Sequence, residues 1–155
     1  MNERKLPTSN FGFTLIELLI IISIMGILMT TGVAYYQNFN RRQVVIQSVK
    51  ELKNNLRLAQ SKALAGEKPT GCGTLEGYRV NFAVDSYTLA AICNGLPIDP
   101  RSYPFVGVTK TAGPNSFLFK VLSRGVSPSG EITLSNTSGY SSKVIVKEGG
   151  EISIE

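Results

Sequence analysis

Residues 13–36 read FTLIELLIIISIMGILMTTGVAYY, a run of 24 residues in which Glu17 is the only charged side chain. The run exceeds the roughly 20 apolar residues with which a helix crosses a lipid bilayer. It ends at Tyr35 and Tyr36, and Phe39 follows, so that aromatic side chains lie where a membrane interface would be. The stretch therefore predicts a membrane-spanning helix.

The twelve residues before this run, MNERKLPTSNFG, are polar and do not favour a continuing helix, so they are predicted to be a leader peptide. A secretory signal has its small-residue cleavage site after the apolar run, whereas here Gly12 comes before it. Cleavage between Gly12 and Phe13 would keep the apolar helix as the new N-terminus. The charges leave the orientation open, because basic residues lie on both sides, at Arg4 and Lys5 before the helix and at Arg41, Arg42, Lys50 and Lys53 after it.

The chain of 155 residues carries 16 basic and 11 acidic residues and no histidine, which gives a formal charge of +5. Residues 37–155 number 119, enough for one domain, and a multidomain enzyme is excluded. Without histidine there is no Ser-His-Asp or Cys-His site, and two cysteines alone cannot make a four-cysteine zinc site. We therefore predict a protein that is not an enzyme, with no catalytic residues, no metal and no cofactor.

From residue 37 the helical pattern continues as one apolar stripe with spacings of four and three residues, formed by Val45, Val49, Leu52, Leu56, Ala59 and Ala63. Gly66, followed by Lys68 and Pro69, supplies a stop signal. The sequence thus predicts one helix from about residue 13 to about residue 65. Its first half is apolar on all sides, and its second half needs a partner surface on one side only.

After Pro69 the chain changes to short runs rich in Val, Ile, Tyr, Phe and Thr, separated by Gly, Pro, Asn and Ser, which are signals of strands and turns. The predicted strands are Tyr78–Ala83, Tyr87–Ile92, Ser116–Leu122, Glu131–Leu134, Lys143–Lys147 and Glu151–Ile154. Asp85-Ser86 is predicted to be a tight hairpin turn, and the short connections favour antiparallel pairing. The segment Asn94–Pro114 contains four prolines and three glycines, which predicts a long irregular loop.

The sequence Gly12-Phe13-Thr14-Leu15-Ile16-Glu17-Leu18-Leu19-Ile20 resembles the signature of type IV prepilins: a glycine before the cut, an aromatic first mature residue, glutamate as the fifth, and then the apolar helix. The resemblance implies that a prepilin peptidase cuts after Gly12 and that the new N-terminus, Phe13, is methylated. It also implies a precursor that spans the cytoplasmic (inner) membrane once, with its C-terminal head outside, and later joins other pilin subunits in a filament. It thereby supplies the orientation that the charges leave open.

Glu17 is the residue of this signature that physical chemistry singles out. A charged side chain in an apolar helix costs about 2.5–3.5 kcal/mol at the centre of a bilayer, so the carboxylate needs a cation nearby. Cleavage creates one, the α-amine of Phe13, on the same helix or on a neighbouring chain. The assembly model of the family uses the neighbouring chain, which implies that Glu17 acts in assembly. The alternative is a chance acid near a helix end, which leaves the surrounding GFTLIE run unexplained.

Three further segments resemble the closing strands of the GspH/FimT group of minor pilins and pseudopilins: residues 122–134, 143–147 and 149–154. The resemblance implies an α+β, pilin-like fold, in which the long N-terminal helix packs on an antiparallel β-sheet head. The predicted domains are a leader at 1–12, a transmembrane and assembly helix at 13–36, and an amphipathic helix extension with a β-rich head at 37–155. The implied function is a structural subunit, a minor pilin or pseudopilin, of a type IV pilus or a type II secretion filament.

An alternative function is that of a pilus-associated DNA receptor for uptake in natural transformation, since some members of this group carry arginines in their C-terminal tail. This chain ends instead in residues 150–155, GEISIE, whose carboxylates would repel phosphate. Six cations lie on the second half of the helix, at Arg41, Arg42, Lys50, Lys53, Arg57 and Lys62. Their pattern is typical of a solvated helix face, so DNA is an alternative partner that the residues do not favour.

Cys72 and Cys93 are the two cysteines, and both lie in the part predicted to be outside the cytoplasm, where disulfides persist. A bridge between them would close a loop of about 20 residues and stabilise the head by roughly 3 kcal/mol. Two separate free thiols are the alternative. We expect the disulfide.

Overall fold

The computed structural model describes residues 12–123 and 125–155, except for the side chains at positions 30–32 and 34. The predicted leader thus lies outside the described residues apart from Gly12. The described chain forms one helix, α1, and nine strands. Their bounds are α1 Leu15–Ala65, β1 Leu75–Phe82, β2 Ser86–Cys93, β3 Leu96–Pro104, β4 Thr109–Ala112, β5 Ser116–Lys120, β6 Val126–Ser127, β7 Gly130–Ser135, β8 Ser141–Val146 and β9 Ile152–Ile154. The predicted α+β class is confirmed.

The chain divides into two compact units, one that ends at Asn38 and a second that comprises Phe39–Glu155. We call the second unit the head. In the head, every member of the predicted apolar stripe from Val45 to Ala63 is at most 2% exposed. The helix ends where the sequence predicted, since Gly66 adopts a left-handed φ of 62° and Glu67 N–H donates to Lys62 O at 3.1 Å.

The strands of the head form two antiparallel sheets. One has the order β3-β2-β1-β5-β6 and the other β4-β7-β8-β9. Side chains from the helix stripe and from both sheets form one apolar core, in which Phe117, Phe119 and Ile132 are among the largest fully buried residues. The helix packs on the sheets because this contact removes its apolar stripe from water. Burial of each valine or leucine of the stripe contributes about 1.5–3 kcal/mol. The predicted packing of the helix on an antiparallel head is confirmed.

The prediction of an irregular loop over Asn94–Pro114 is wrong, because this segment contains β3 and β4. β3 includes three prolines, and proline is tolerated in a strand at the edge of a sheet, where its missing N–H is not needed by a second neighbour. Among the described strands β3 pairs with β2 alone, and the register slips between the pairs Leu89–Arg101 and Ala91–Ile98. Asp99 lies in this slip with a left-handed φ of 50°, so a bulge accommodates the chain before Pro100.

Smaller differences concern turns and strand ends. Ser86, predicted in the turn, belongs to β2, and Ala83 N–H donates to Ser86 O at 2.9 Å. The tip of the hairpin therefore consists of Val84 and Asp85. The short strand β6 was not predicted, because two residues carry no recognisable alternation.

Gly77 lies in the middle of the first sheet, between Ile92 of β2 and Lys120 of β5. A Cβ at this position would lie 2.1 Å from Phe119 O, so the backbone of β5 leaves no room for a side chain. We expect Gly77→Ala to lower the free energy of unfolding by about 2 kcal/mol, because β1 and β5 must separate. Urea unfolding measures this, with Gly149→Ala as the control, since Gly149 faces open space. Equal stability of the two variants would contradict the close approach.

Candidate processing and assembly site

The predicted cleavage position lies outside the helix. Gly12, Phe13 and Thr14 have no regular secondary structure, and α1 begins at Leu15. No atom of residues 12–123 or 125–155 lies within 4 Å of the position that a Cβ on Gly12 would take, and the Phe13 side chain is 76% exposed. Within the described residues, the bond between Gly12 and Phe13 thus lies outside the helix and is not covered by other side chains. A peptidase acts on such a bond without first unwinding a helix.

Thr14 determines where the helix begins. Its hydroxyl Oγ1 accepts a hydrogen bond from Glu17 N–H at 3.3 Å, and its carbonyl accepts the helical bond from Leu18 N–H at 3.2 Å. Both contacts define Thr14 as the N-cap. The sequence analysis missed this role, although Thr followed by Glu three residues later is the pattern of a capping box.

Glu17 lies in the first turn of α1, where the positive end of the helix dipole favours a carboxylate. The ion pairs formed by described residues do not include Glu17. The cation expected for it, the α-amine of Phe13, exists only after cleavage. Glu17 and Phe13 are four residues apart in the sequence. An ion pair between the Glu17 carboxylate and the α-amine of Phe13 stays a prediction.

Many of the described apolar side chains after Glu17 are exposed to solvent. They are between 41% and 72% exposed in the list that follows: Leu18, Leu19, Ile20, Ile21, Ile22, Ile24, Met25, Ile27, Leu28, Met29 and Val33. A continuous apolar surface of this kind requires a partner, because exposed apolar patches on soluble monomers are small. No helix within the described residues meets the combined length and apolarity required to cross a membrane. The prediction that residues 13–36 span a membrane thus stays a prediction.

The structure joins Cys72 and Cys93 in a disulfide, the pairing expected from the sequence, with Cα atoms 5.5 Å apart. It connects the turn before β1 to the end of β2. The same corner is held by two further contacts, because Thr74 N–H donates to Asn94 Oδ1 at 3.1 Å and Gly95 N–H donates to Glu76 Oε1 at 2.6 Å.

We expect replacement of both cysteines by serine to lower the free energy of unfolding of the head by roughly 3 kcal/mol, because the unfolded chain regains the freedom of a closed loop of this length. The measurement is thermal or urea unfolding of the full chain under non-reducing conditions, compared with the unaltered protein in reducing agent. Agreement of the two destabilisations is the expected result. An unchanged stability of the double variant would show that the bridge does not form.

Several cations of the head are paired with carboxylates. Lys62 Nζ lies 2.6 Å from Glu67 Oε1, Lys143 Nζ lies 3.2 Å from Glu131 Oε1, and Lys147 Nζ lies 2.8 Å from Glu151 Oε2. The hydrogen bond to Glu67 raises the pKa of Lys62, which keeps that ammonium charged. These pairs reduce the positive charge that a phosphate backbone would meet.

Partly buried polar side chains connect the helix of the head to its sheets and turns. Burial raises the pKa of Tyr87 to about 12, and Asn55 Nδ2 donates to Tyr87 Oη at 2.5 Å. This bond fixes the helix to β2. Similar bonds run from Gln60 Nε2 to Gly150 O at 2.7 Å and from Asn136 Nδ2 to Arg41 O at 2.8 Å. Among residues 12–123 and 125–155, no group of three or more His, Cys, Asp or Glu side chains is placed to hold a metal ion.

Comparison with known proteins agrees with this geometry. Residues 8–33 match the model of the prokaryotic N-terminal methylation motif. A fimbrial protein of Pseudomonas aeruginosa is 32% identical over 78 residues, which are 50% of this chain and 51% of the relative. A probable minor fimbrial protein of Dichelobacter nodosus is 45% identical over 53 residues, which are 34% of this chain and 33% of the relative.

The chain therefore spans about half the length of the first curated relatives it matches. No solved structure is a significant match to it. The similarity is to structural pilin subunits and not to enzymes, as the sequence predicted. With the methylation motif at the start of a long helix and an antiparallel head behind it, the chain is similar to type IV prepilin-like fimbrial proteins.

Proposed function

We propose that this chain is a structural subunit of a filament, a minor pilin or pseudopilin of the GspH/FimT type, in a type IV pilus or a type II secretion pseudopilus. The observation that carries the proposal is the start of α1. The Gly12–Phe13 bond lies just before the N-cap Thr14 of a helix whose apolar side chains are exposed, within the segment that matches the methylation motif. A protein with this arrangement must place the helix against other apolar material after the bond is cut.

The proposed sequence of events begins in the inner membrane. Residues 13–36 anchor the precursor, with the head outside the cytoplasm, and the disulfide between Cys72 and Cys93 is compatible with an oxidising compartment. The prepilin peptidase cuts after Gly12, and Phe13 becomes the methylated N-terminus. Because the helix follows the cut, cleavage removes the leader and keeps the anchor.

Assembly then replaces lipid by neighbouring helices around residues 13–36. The α-amine of Phe13 on one subunit neutralises the carboxylate of Glu17 on the next, and each such pair fixes one axial position of the helix. A pair in an apolar environment is favourable only when both charges meet, so a wrong register leaves two unpaired charges and is rejected. Glu17 thus determines the axial register of the subunit in the filament more than it strengthens binding between subunits.

Gly12→Ala tests the proposal. We expect uncut precursor to predominate in membranes. The peptidase must accommodate the residue before the cut, and the methyl group of alanine would occupy space that glycine leaves free. Immunoblotting of membranes resolves the two forms by size. The control is Gly26→Ala, which adds the same methyl group within α1, where the space around the Cβ position is open. This variant is expected to be cut normally. Normal cleavage of Gly12→Ala would contradict the proposal that this chain is processed as a prepilin.

The described residues of the head do not favour the DNA-receptor alternative. The C-terminal residue is part of a ladder, because Lys143 N–H donates to Glu155 O at 2.7 Å and Glu155 N–H donates to Lys143 O at 3.0 Å. The tail therefore presents carboxylates at the sheet edge. Titration of the full chain with duplex DNA at two salt concentrations separates the functions, since a receptor would bind at low salt and lose affinity steeply as salt rises.

A further inference from the structure

β3 is the longest of the strands at the edges of the two sheets. It contains nine residues, whereas the other edge strands, β4, β6 and β9, contain four, two and three. An edge strand presents unpaired N–H and C=O groups along its outer side, and a strand of a second molecule can pair with them. β3 is therefore the edge of the head at which another chain could be added.

The other three edges offer little room for such pairing. Lys110 N–H of β4 donates to Val84 O at 2.7 Å, so the tip of the β1–β2 hairpin already occupies a donor of that strand. Val126 N–H of β6 donates to Glu148 O at 3.2 Å. β9 has three residues, and a very short edge strand presents few backbone groups to a partner.

The outer side of β3 is open. Among the described residues, backbone hydrogen bonds outside the strand ladders do not involve positions 96–104. Every residue of β3 except Ile98 and Tyr103 is exposed. Within this part of the chain, any barrier to pairing at this edge must therefore come from β3 itself.

Prolines occupy outward positions of β3. Along an antiparallel edge strand, N–H groups point alternately toward the partner strand and away from it. Phe105 N–H donates to Asp85 O at 2.7 Å, so the position before it, Pro104, faces the other way. Pro97 lies opposite Ile92 of β2 and has no N–H to give to that strand. Both prolines thus lie where the ladder with β2 needs no donor from β3.

Few donors remain on the outer side. Pro100 removes a third N–H inside the bulge, where Asp99 has a left-handed φ of 50°. Because the positions alternate from Pro104, Ser102 N–H points outward. A strand that paired with β3 would meet this one donor over the described residues 100–104. Its other carbonyl groups would give up their bonds to water without replacement, which is costly.

We propose that the prolines of β3 close this edge of the head to strand pairing with a second copy of the chain. Two identical edges would meet in antiparallel register about a twofold axis, so β3 of the second copy is the partner that is kept away. The inference rests on the proposed function in one respect, because a filament holds many heads close together and raises their effective concentration. The closed edge keeps strand pairing from competing with association through residues 13–36.

Replacement of Pro97, Pro100 and Pro104 by threonine restores three N–H groups with a residue that favours strands. We expect sedimentation equilibrium of this triple variant, as the full chain in detergent, to shift toward twice the mass of the unaltered chain. The control replaces Pro69 and Pro114, which lie outside the strands, by threonine and is expected to sediment as the unaltered chain does. An unchanged mass of the triple variant would overturn the proposal.

Hydrogen exchange identifies the strand that pairs. In the triple variant, exchange of Ser102 N–H is expected to slow as protein concentration rises, whereas in the unaltered chain it is expected not to depend on concentration. Tyr103 N–H, which faces β2, is expected to stay protected in both. Association without slower exchange at Ser102 would overturn the assignment to β3. Loss of protection at Tyr103 would overturn it too, since the prolines would then hold β3 on its sheet.

A fourth substitution reverses the effect. Ser102→Pro in the triple variant removes the outward donor again, and its mass is expected to return to that of the unaltered chain. Association that persists would overturn the proposal. These measurements require neither cleavage nor a filament. Their failure therefore leaves the proposed function standing, and failure of cleavage after Gly12 leaves the closed edge standing.

Discussion

Glu17→Gln is expected to abolish incorporation of the subunit into a filament while leaving cleavage after Gly12 intact. The substitution keeps the size of the side chain and one acceptor oxygen. The bond to Thr14 Oγ1 is donated by the backbone N–H of residue 17, so the helix start is unaffected. What is lost is the charge. The neighbouring subunit's α-amine then enters an apolar environment without a partner, which costs about 3–5 kcal/mol when one member of a buried pair is removed.

The measurement compares the subunit in sheared filaments with the subunit in membranes. The matched control is Glu51→Gln, which removes an exposed carboxylate from the same helix and is expected to leave incorporation unchanged. Reduced processing of Glu17→Gln would mean that the residue acts in cleavage instead. Incorporation at the unaltered level would refute its role in assembly.

Leu52→Ala is expected to lower the free energy of unfolding of the head by about 4 kcal/mol. Leu52 is 0% exposed, at the centre of the stripe, and its removal leaves a cavity that the surrounding helix and sheets cannot fill. A loss of this size is a large fraction of the stability of a small domain, so much of the variant will be unfolded at 37 °C.

Leu58→Ala is the control, since it makes the same change on the same helix at a side chain that is 42% exposed, and a loss below about 1 kcal/mol is expected. Urea unfolding of the full chain in detergent, followed by circular dichroism of the sheet signal, measures both. Similar losses for Leu52→Ala and Leu58→Ala would contradict the orientation of the helix on the head.

The helix was predictable because its signals repeat. The stripe from Val45 to Ala63 has six members at helical spacing, which chance rarely produces. Gly66 correctly indicated that the helix ends at Ala65. The prepilin signature was equally readable, because it is local and ordered. Strands with alternating side chains, such as β1, β2 and β7, were found with errors of one to three residues at their ends.

β3 and the sheet order were beyond sequence reasoning. A strand with three prolines is compatible with the fold because it lies at an edge and bulges at Asp99. Both features depend on how β3 pairs with β2, which the local sequence does not reveal. Gly77 is a similar case, since the need for glycine arises from Phe119 O of another strand. Thr14 is different. Its capping pattern with Glu17 was visible in the sequence, but both residues were interpreted only as parts of the prepilin signature.

The intact mass of the mature chain, isolated from membranes under non-reducing conditions, tests the proposed processing. We expect a chain that lacks residues 1–12, starts at Phe13, is heavier by one CH2 because a methyl group replaces an amine hydrogen, and is lighter by the two hydrogens lost in the disulfide between Cys72 and Cys93. A membrane-bound chain whose mass still includes residues 1–12, in cells with an active prepilin peptidase, would contradict it.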